Sequence, residues 1–246
     1  SGLGGGAFLL VYDAASRRVS AYDGRETAPS AATAELFLGE DGKPLSFPDA
    51  VRSGRAVGAP GAVAMLGLAH KDHGRRPWPS LFEPGVRLAD GGFTVTARLA
   101  EAAASQHPSA RGRDAVAYFT KADGSLVKAG DTLRNPAYAA TLRRIAAEGP
   151  RALLEGPVAA RIAARVAEAP RPGALSVADL AAYQPLRREP LCRPWRVYVL
   201  CSAAPPASGV GLIQLMLLLQ QTDIGERGPA DPQGWYLCAE ASRVMY

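Results

Sequence analysis

The sequence predicts an α+β fold in which helices and strands are mixed without strict βαβ alternation. Three observations carry that reading. Apolar residues make up 48% of the 246 positions and charged residues 21%, which is the balance of a globular chain and not of a disordered one. Short apolar or alternating runs lie among Ala-rich stretches with helical spacing. Finally, 26 Gly and 20 Pro cut the chain into short elements and tight turns. The length suits one large domain, because domains run to ~100–200 residues and layered folds reach ~250.

The elements follow in order. Ala7 to Tyr12 (AFLLVY) is an apolar strand signal, and Arg18 to Tyr22 alternates after a polar turn, so the two predict a β-hairpin. Arg25 to Pro29 leaves that hairpin as a turn, and Ala31 to Leu38 reads as a short helix. After the break at Ala59-Pro60-Gly61, Ala62 to His70 has helical spacing with Val63, Leu66 and Ala69 on one side. Ser80 is placed to cap a helix over Leu81 to Asp90, which Gly91-Gly92 ends. Thr96 to Ser105 is Ala-rich and helical. Ala115 to Thr120 and Leu126-Val127 flank Asp123-Gly124 and predict a second hairpin.

Asn135-Pro136 opens a helix over Ala137 to Glu148, which Gly149-Pro150 stops. A short helix over Arg151 to Glu155 and a longer one over Val158 to Glu168 follow. Ser176 with Asp179 forms a capping box for a helix reaching Tyr183. Glu189 to Ser202 is strand-like, Pro205-Pro206 is a stop, and Ser208-Gly209 opens an apolar helix over Val210 to Gln220. Ala239 to Tyr246 reads as a further helix.

Charge and composition exclude several classes of function. The net charge is +5, from 24 Arg and only four Lys. The Arg are scattered with no cluster longer than a pair, whereas nucleic-acid binders gather charge into a stripe. The apolar run Val210 to Leu219 is 10 residues long, and a membrane helix needs ~20. Neither a nucleic-acid partner nor a membrane span is expected.

The candidate motifs are mostly weak. Gly2-x-Gly4-x-x-Ala7 matches a dinucleotide fingerprint as a string, but a strand follows it where the fingerprint needs a helix. His70 and His73 sit three apart without a third ligand, so no metal is expected. No GxSxG elbow exists, and Ser208 at a strand-to-helix turn reads as a helix cap. Cys192 and Cys201 would be ~30 Å apart in one straight strand, so pairing requires a hairpin bend near Arg193-Pro194; three free thiols are the alternative. Arg25, read from the residues alone, is a partner of Glu26 or part of a solvated turn.

Seven segments change the picture when taken together. They are Gly4-Gly5-Gly6-Ala7-Phe8, Asp23-Gly24-Arg25-Glu26-Thr27-Ala28-Pro29, Gly58-Ala59-Pro60-Gly61, Gly130-Asp131-Thr132-Leu133, Leu180-Ala181-Ala182-Tyr183, Arg188-Glu189-Pro190-Leu191 and Pro205-Pro206-Ala207-Ser208-Gly209. Their order and spacing resemble successive motifs of the γ-glutamyltranspeptidase family along almost the whole chain. The resemblance implies an N-terminal-nucleophile hydrolase with a four-layer αββα sandwich, made from a precursor that cleaves itself into a large and a small subunit. Residues 1–246 are then a large-subunit portion of a single domain, truncated at both ends and incomplete without the small subunit.

The nucleophile implied is the new N-terminal Thr of the small subunit, whose α-amine serves as base. It is not among the eight Thr here, none of which lies in a Thr-Thr-His junction. No catalytic residue, cofactor or metal is therefore expected in this chain. One binding residue carries over: Arg25, whose planar fork suits the α-carboxylate of a γ-glutamyl substrate such as glutathione. The implied reaction passes the γ-glutamyl group to water, amino acids or peptides. The implied partner is the small subunit of the same precursor, and the implied location is periplasmic or secreted. Ser1 opens a Gly-rich run without the regions of a signal peptide.

The chain departs from the family pattern at Ala7, Ala207, Val210 and Leu153-Leu154-Glu155-Gly156. These departures leave room for a superfamily acylase of the cephalosporin or glutaryl type, or for a non-catalytic fragment or scaffold. With no nucleophilic Thr, the purified 246-residue chain should turn over no γ-glutamyl anilide; turnover in a preparation free of host enzyme would contradict this.

Overall fold

The computed structural model describes residues 2–168 and 170–245. The chain opens with β1 (Ala7–Asp13) and β2 (Arg18–Gly24), then α1 (Phe47–Val51), α2 (Ala62–His73) and α3 (Glu83–Gly91). The middle holds β3 (Phe93–Thr94), α4 (Ala97–Ala104), α5 (Arg113–Phe119), β4 (Thr132–Leu133), α6 (Pro136–Glu148), α7 (Gly156–Val166) and α8 (Val177–Ala182). The last part holds β5 (Leu186–Arg188), β6 (Leu191–Trp195), β7 (Tyr198–Ser202), α9 (Gly209–Gln220) and α10 (Pro232–Met245).

The expected first hairpin forms. β1 and β2 pair antiparallel from Ala7↔Gly24 to Asp13↔Arg18. β5 adds to the other edge of β2 with Asp23 opposite Leu186. The period of two then sorts the side chains of β1. Ala7, Leu9 and Val11 pack toward α2 with Tyr22, Met65, Leu68 and Ala69. Phe8 and Leu10 instead line a cavity of about 240 Å³ with Ala203, Ser208 and Leu212, at the start of α9. The small sheet thus lies between α2 and the α9 segment.

Helix α2 is the centre of the core. Val63 packs with Ile145, Leu153 and Val158; Ala64 packs with Leu154, Leu180 and Tyr183; Met65 packs with Tyr22. The expected stripe of Val63, Leu66 and Ala69 is only partly right. Leu66 is 48% exposed, while Met65 is 1% exposed. A helix surrounded on several sides buries consecutive residues, so a one-sided period does not describe it.

Four further expectations are corrected. Ala31 to Leu38 is a series of turns, because Ser30 N–H donates to Asp179 and Arg55 takes the carbonyls of Leu36 and Leu38. Those long-range bonds override local helix preference. The second hairpin is absent: Arg113–Phe119 is helical, with Tyr118 and Phe119 packed on the cluster around Val95, and only the Thr120↔Leu126 bridge remains about Gly124. Ser80 does not cap a helix. It bonds the Pro77 carbonyl inside a tight turn over Trp78–Leu81, and Phe82 precedes α3. Ser208 stands at the start of α9 but makes no side-chain capping bond.

Glu189 to Ser202 is not one strand. β6 and β7 form a hairpin that turns at Arg196-Val197, three residues beyond the expected bend, with Arg196 at φ 52°. Pro194 is accommodated inside β6, opposite Val199. Cys192 and Cys201 face each other across the hairpin and are disulfide-bonded; Cys238 is free. Ser176 and Asp179 form the expected capping box, and Asn135 caps α6. The expected C-terminal helix is α10, and the end of that expectation, Tyr246, lies outside the described residues.

The burial pattern yields a direct check. Met65→Ala should cost ~2–5 kcal/mol and Leu66→Ala less than ~1 kcal/mol, although sequence periodicity favours Leu66 as the inward residue. Urea midpoints of the two variants test this, and comparable losses would contradict the packing of α2.

Candidate functional site

Five of the seven motif segments meet at the end of β2, around Arg25. Gly5 carbonyl accepts both the Gly61 and Ala62 amides, which ties the Gly run to the first turn of α2. Thr27 and Ala59 exchange backbone hydrogen bonds, which ties the Arg25 loop to the segment before α2. The close approach needs glycine. A methyl group at Gly24 would meet Met65 Cβ at 2.5 Å, and one at Gly61 would overlap the Tyr183 hydroxyl and the Gly24 carbonyl.

Arg25 itself is held by its backbone. Its N–H donates to Asp23 Oδ1 at 2.9 Å, and its carbonyl accepts from Tyr183 Oη at 2.9 Å. Asp23 is buried and its other oxygen accepts from Arg188 Nε at 3.2 Å. Glu26 Oε1 accepts from Gly6 N–H at 2.6 Å, and Glu26 Oε2 is 3.5 Å from Arg25 Nε. The Arg25 side chain remains 62% exposed. Among the described residues Glu26 is its ion-pair partner, and its guanidinium donates no hydrogen bond to another side chain or to the backbone. The Arg25–Glu26 pairing read from the residues alone is thus present, and it leaves the fork open.

Helix α8 braces this loop from behind. Asp179 caps its own helix and also accepts from Ser30 N–H at 2.9 Å. Arg151 reaches the carbonyls of Ala181 and Tyr183 at the C-terminus of α8, where a cation suits the exposed carbonyl groups. Burial, with Asp23 and Glu26 nearby, pushes the Tyr183 phenol up to about 12. It therefore remains a hydrogen-bond donor across the physiological range.

A second cluster lies farther along β2. Tyr22 Oη donates to Asp72 Oδ2 at 2.9 Å and lies 2.6 Å from His73 Nε2. Arg187 grips Asp72 through two bonds of 2.7 and 2.8 Å. These groups border an open cavity of about 450 Å³. The Arg187 hydrogen bonds hold the Asp72 carboxyl down at about 2.

The two histidines read together in the sequence have separate partners. His70 bonds the Arg76 carbonyl while His73 meets Tyr22. Among the described residues no group of three or more His, Cys, Asp or Glu side chains is placed to hold a metal ion. Gly130–Leu133 does not join the site; it pairs with the Phe93 region. Pro205–Gly209 borders the opposite face of β1. Sequence reasoning missed Tyr183, Asp23 and Arg188. Asp23 has a local signal, an Asx-type bond two residues on. Tyr183 has none, being 158 residues from its partner.

The fold, a small sheet backed by a buried helix with an exposed arginine fork at a strand end, is shared with solved γ-glutamyltranspeptidase structures and so falls in the class of the N-terminal-nucleophile hydrolases. Its fold matches a crystal structure of cephalosporin acylase from Bacillus halodurans with a TM-score of 0.81 at 22% identity, covering 100% of this chain and 45% of that one. A match to the γ-glutamyltranspeptidase of Helicobacter pylori has a TM-score of 0.91 at 28% identity, covering 99% of this chain and 69% of that one. The chain belongs to the γ-glutamyltranspeptidase family, whose model matches residues 1–246. The glutathione hydrolase proenzyme of Bacillus subtilis strain 168 is 32% identical over 247 residues, covering 100% of this chain. The chain spans 42% of that relative's length. Among the described residues no helix is long and apolar enough to cross a membrane.

The shifted groups predict how stability depends on pH. Asp72 has a lowered value in the fold, so its contribution is present above the unfolded value of ~4 and is lost as pH falls through about 2. Tyr183 has a raised value, so its contribution is present below ~10 and is lost as pH rises through about 12. Asp72→Asn should flatten the acid limb of a stability-against-pH curve, and Tyr183→Phe the alkaline limb. Unchanged limbs in both variants would contradict these assignments.

Proposed function

We propose that this chain is the large-subunit portion of a γ-glutamyl transferase and hydrolase, and that Arg25 binds the α-carboxylate of its donor. The complete protein then cleaves the γ-glutamyl amide of glutathione and related compounds. The acyl group passes to an N-terminal Thr on a small subunit cut from the same precursor, and from there to water, an amino acid or a peptide. One observation carries the reading: the Arg25 backbone is fixed on both sides while its guanidinium stays open. A fork held in this way offers two parallel N–H donors to a carboxylate.

Further observations support it. The family match covers residues 1–246, and the Bacillus subtilis relative is named a proenzyme. Exposed apolar side chains on α9, α10 and the β6–β7 hairpin, including Leu212, Trp235 and Val197, provide surface for the proposed small subunit. The Cys192–Cys201 disulfide accords with a periplasmic or secreted location, since disulfides persist in oxidising compartments.

In the complete enzyme, Arg25→Ala removes a charge-assisted contact. Truncating one partner of a buried charge pair costs about 2–5 kcal/mol, roughly 30- to 5,000-fold in kcat/KM. Arg25→Lys keeps the charge without the fork and should recover part of the loss. The loss should fall on γ-glutamyl anilide and spare 4-aminobutyryl anilide, which lacks the α-carboxylate. Self-cleavage of the precursor should survive. An equal loss on both substrates, with a lowered melting temperature, would assign Arg25 a structural role beside Glu26.

A further inference from the structure

The Arg25 loop is tied down in an uneven way. The peptide groups on either side of its Cα are both bonded to buried side chains, one from its own strand and one from a distant helix end. Asp23 is 7% exposed and Tyr183 is 4% exposed, whereas the Arg25 side chain is 62% exposed. Each anchor has its own support. Arg188 on β5 holds the second oxygen of Asp23, and Arg151 holds the Tyr183 carbonyl at 3.0 Å. Gly61 gives the Tyr183 hydroxyl its room, since any side chain there would displace it.

We infer that Asp23 and Tyr183 form a two-sided backbone clamp, acting as positioning residues that set where the Arg25 fork meets the donor carboxylate. The inference rests on the proposed role of Arg25. A long, flexible Arg side chain has many rotamers, and a bidentate contact needs the fork in one plane and at one distance. Fixing φ and ψ at Arg25 removes the backbone share of that freedom before substrate arrives. A small displacement of such a group is costly, because ~1 Å of misplacement can lose on the order of 100-fold in rate.

The test uses the mature two-chain enzyme. Tyr183→Phe keeps the buried ring and removes one hydrogen bond. It should raise KM for γ-glutamyl anilide roughly tenfold, the size of one hydrogen bond to a fixed group. The kcat should change little, and 4-aminobutyryl anilide turnover should be unaffected. In an Arg25→Ala background the same substitution should cost nothing more, since the clamp acts only through Arg25. Asp23→Asn keeps an acceptor for the Arg25 amide but sets an amide NH2 against Arg188 Nε, which removes that support, so its effect should be equally donor-selective.

Equal losses on both donors, full additivity with Arg25→Ala, or no change in KM would each overturn the clamp. Should Tyr183→Phe fail to accumulate, the donor selectivity of Asp23→Asn decides the matter by the same criterion. Failure of the underlying reading looks different: Arg25→Ala itself would then strike both donors alike. A donor-selective Arg25→Ala beside an unselective Tyr183→Phe would sink the clamp alone.

Discussion

The structure depends on one close approach of two pieces of backbone and a tyrosine side chain. The end of β2, the first turn of α2 and the end of α8 meet at Gly24, Gly61 and Tyr183, with no room for a side chain at either glycine. This contact lets Gly5 accept two amides from the start of α2, and it drives Ala62 to Met65 into the interior. It also aims the chain outward at Arg25, because the Tyr183 hydroxyl that fills the space takes the Arg25 carbonyl. Residues 5, 24, 61 and 183 are far apart in sequence, so packing rather than local propensity enforces the contact.

The charges around this contact differ in kind from those on the surface. Pairs such as Arg243–Glu240 or Arg144–Glu148 are exposed and contribute little, of order 0–1 kcal/mol. Asp23, Glu26, Asp179 and Arg151 instead satisfy backbone N–H and carbonyl groups that the turns leave unpaired. Losing one of them strands a backbone group as well as a charge, which is the costlier event. An Arg-rich, Lys-poor composition suits this pattern, because a guanidinium can cap two carbonyls at once, as Arg151 does at the end of α8.

Local chemistry explains which elements were legible in the sequence. The β1–β2 hairpin, the Ser176–Asp179 box and the Asn135-Pro136 helix start are each set within a few residues, and each forms as read. The segments that differ are those whose partners are remote. Ala31–Leu38 answers to Asp179 and Arg55, and Tyr118 and Phe119 answer to the cluster around Val95, which draws them into a helix. The site divides in the same way. Arg25 is visible through its motif and the Asp23 bond is a short-range one. Tyr183 carries no mark of its role, since nothing near it in sequence indicates a hydroxyl donated to a carbonyl 158 residues away.

On the proposed reading, the chain separates recognition from reaction. The carboxylate-binding group is built here, on a rigid strand end, while the bond-making group belongs to another chain. Such a division has a physical consequence. Recognition can change without disturbing the chemistry, because the open Arg25 fork lies outside the buried contact that organises the loop. Replacing that fork would alter which acyl group is held, yet it would leave Gly24, Gly61 and Tyr183 in place. The fold is shared with a cephalosporin acylase, and one fold can host different functions through the sites built on it. The backbone around Arg25 is accordingly more constrained than the side chain it presents.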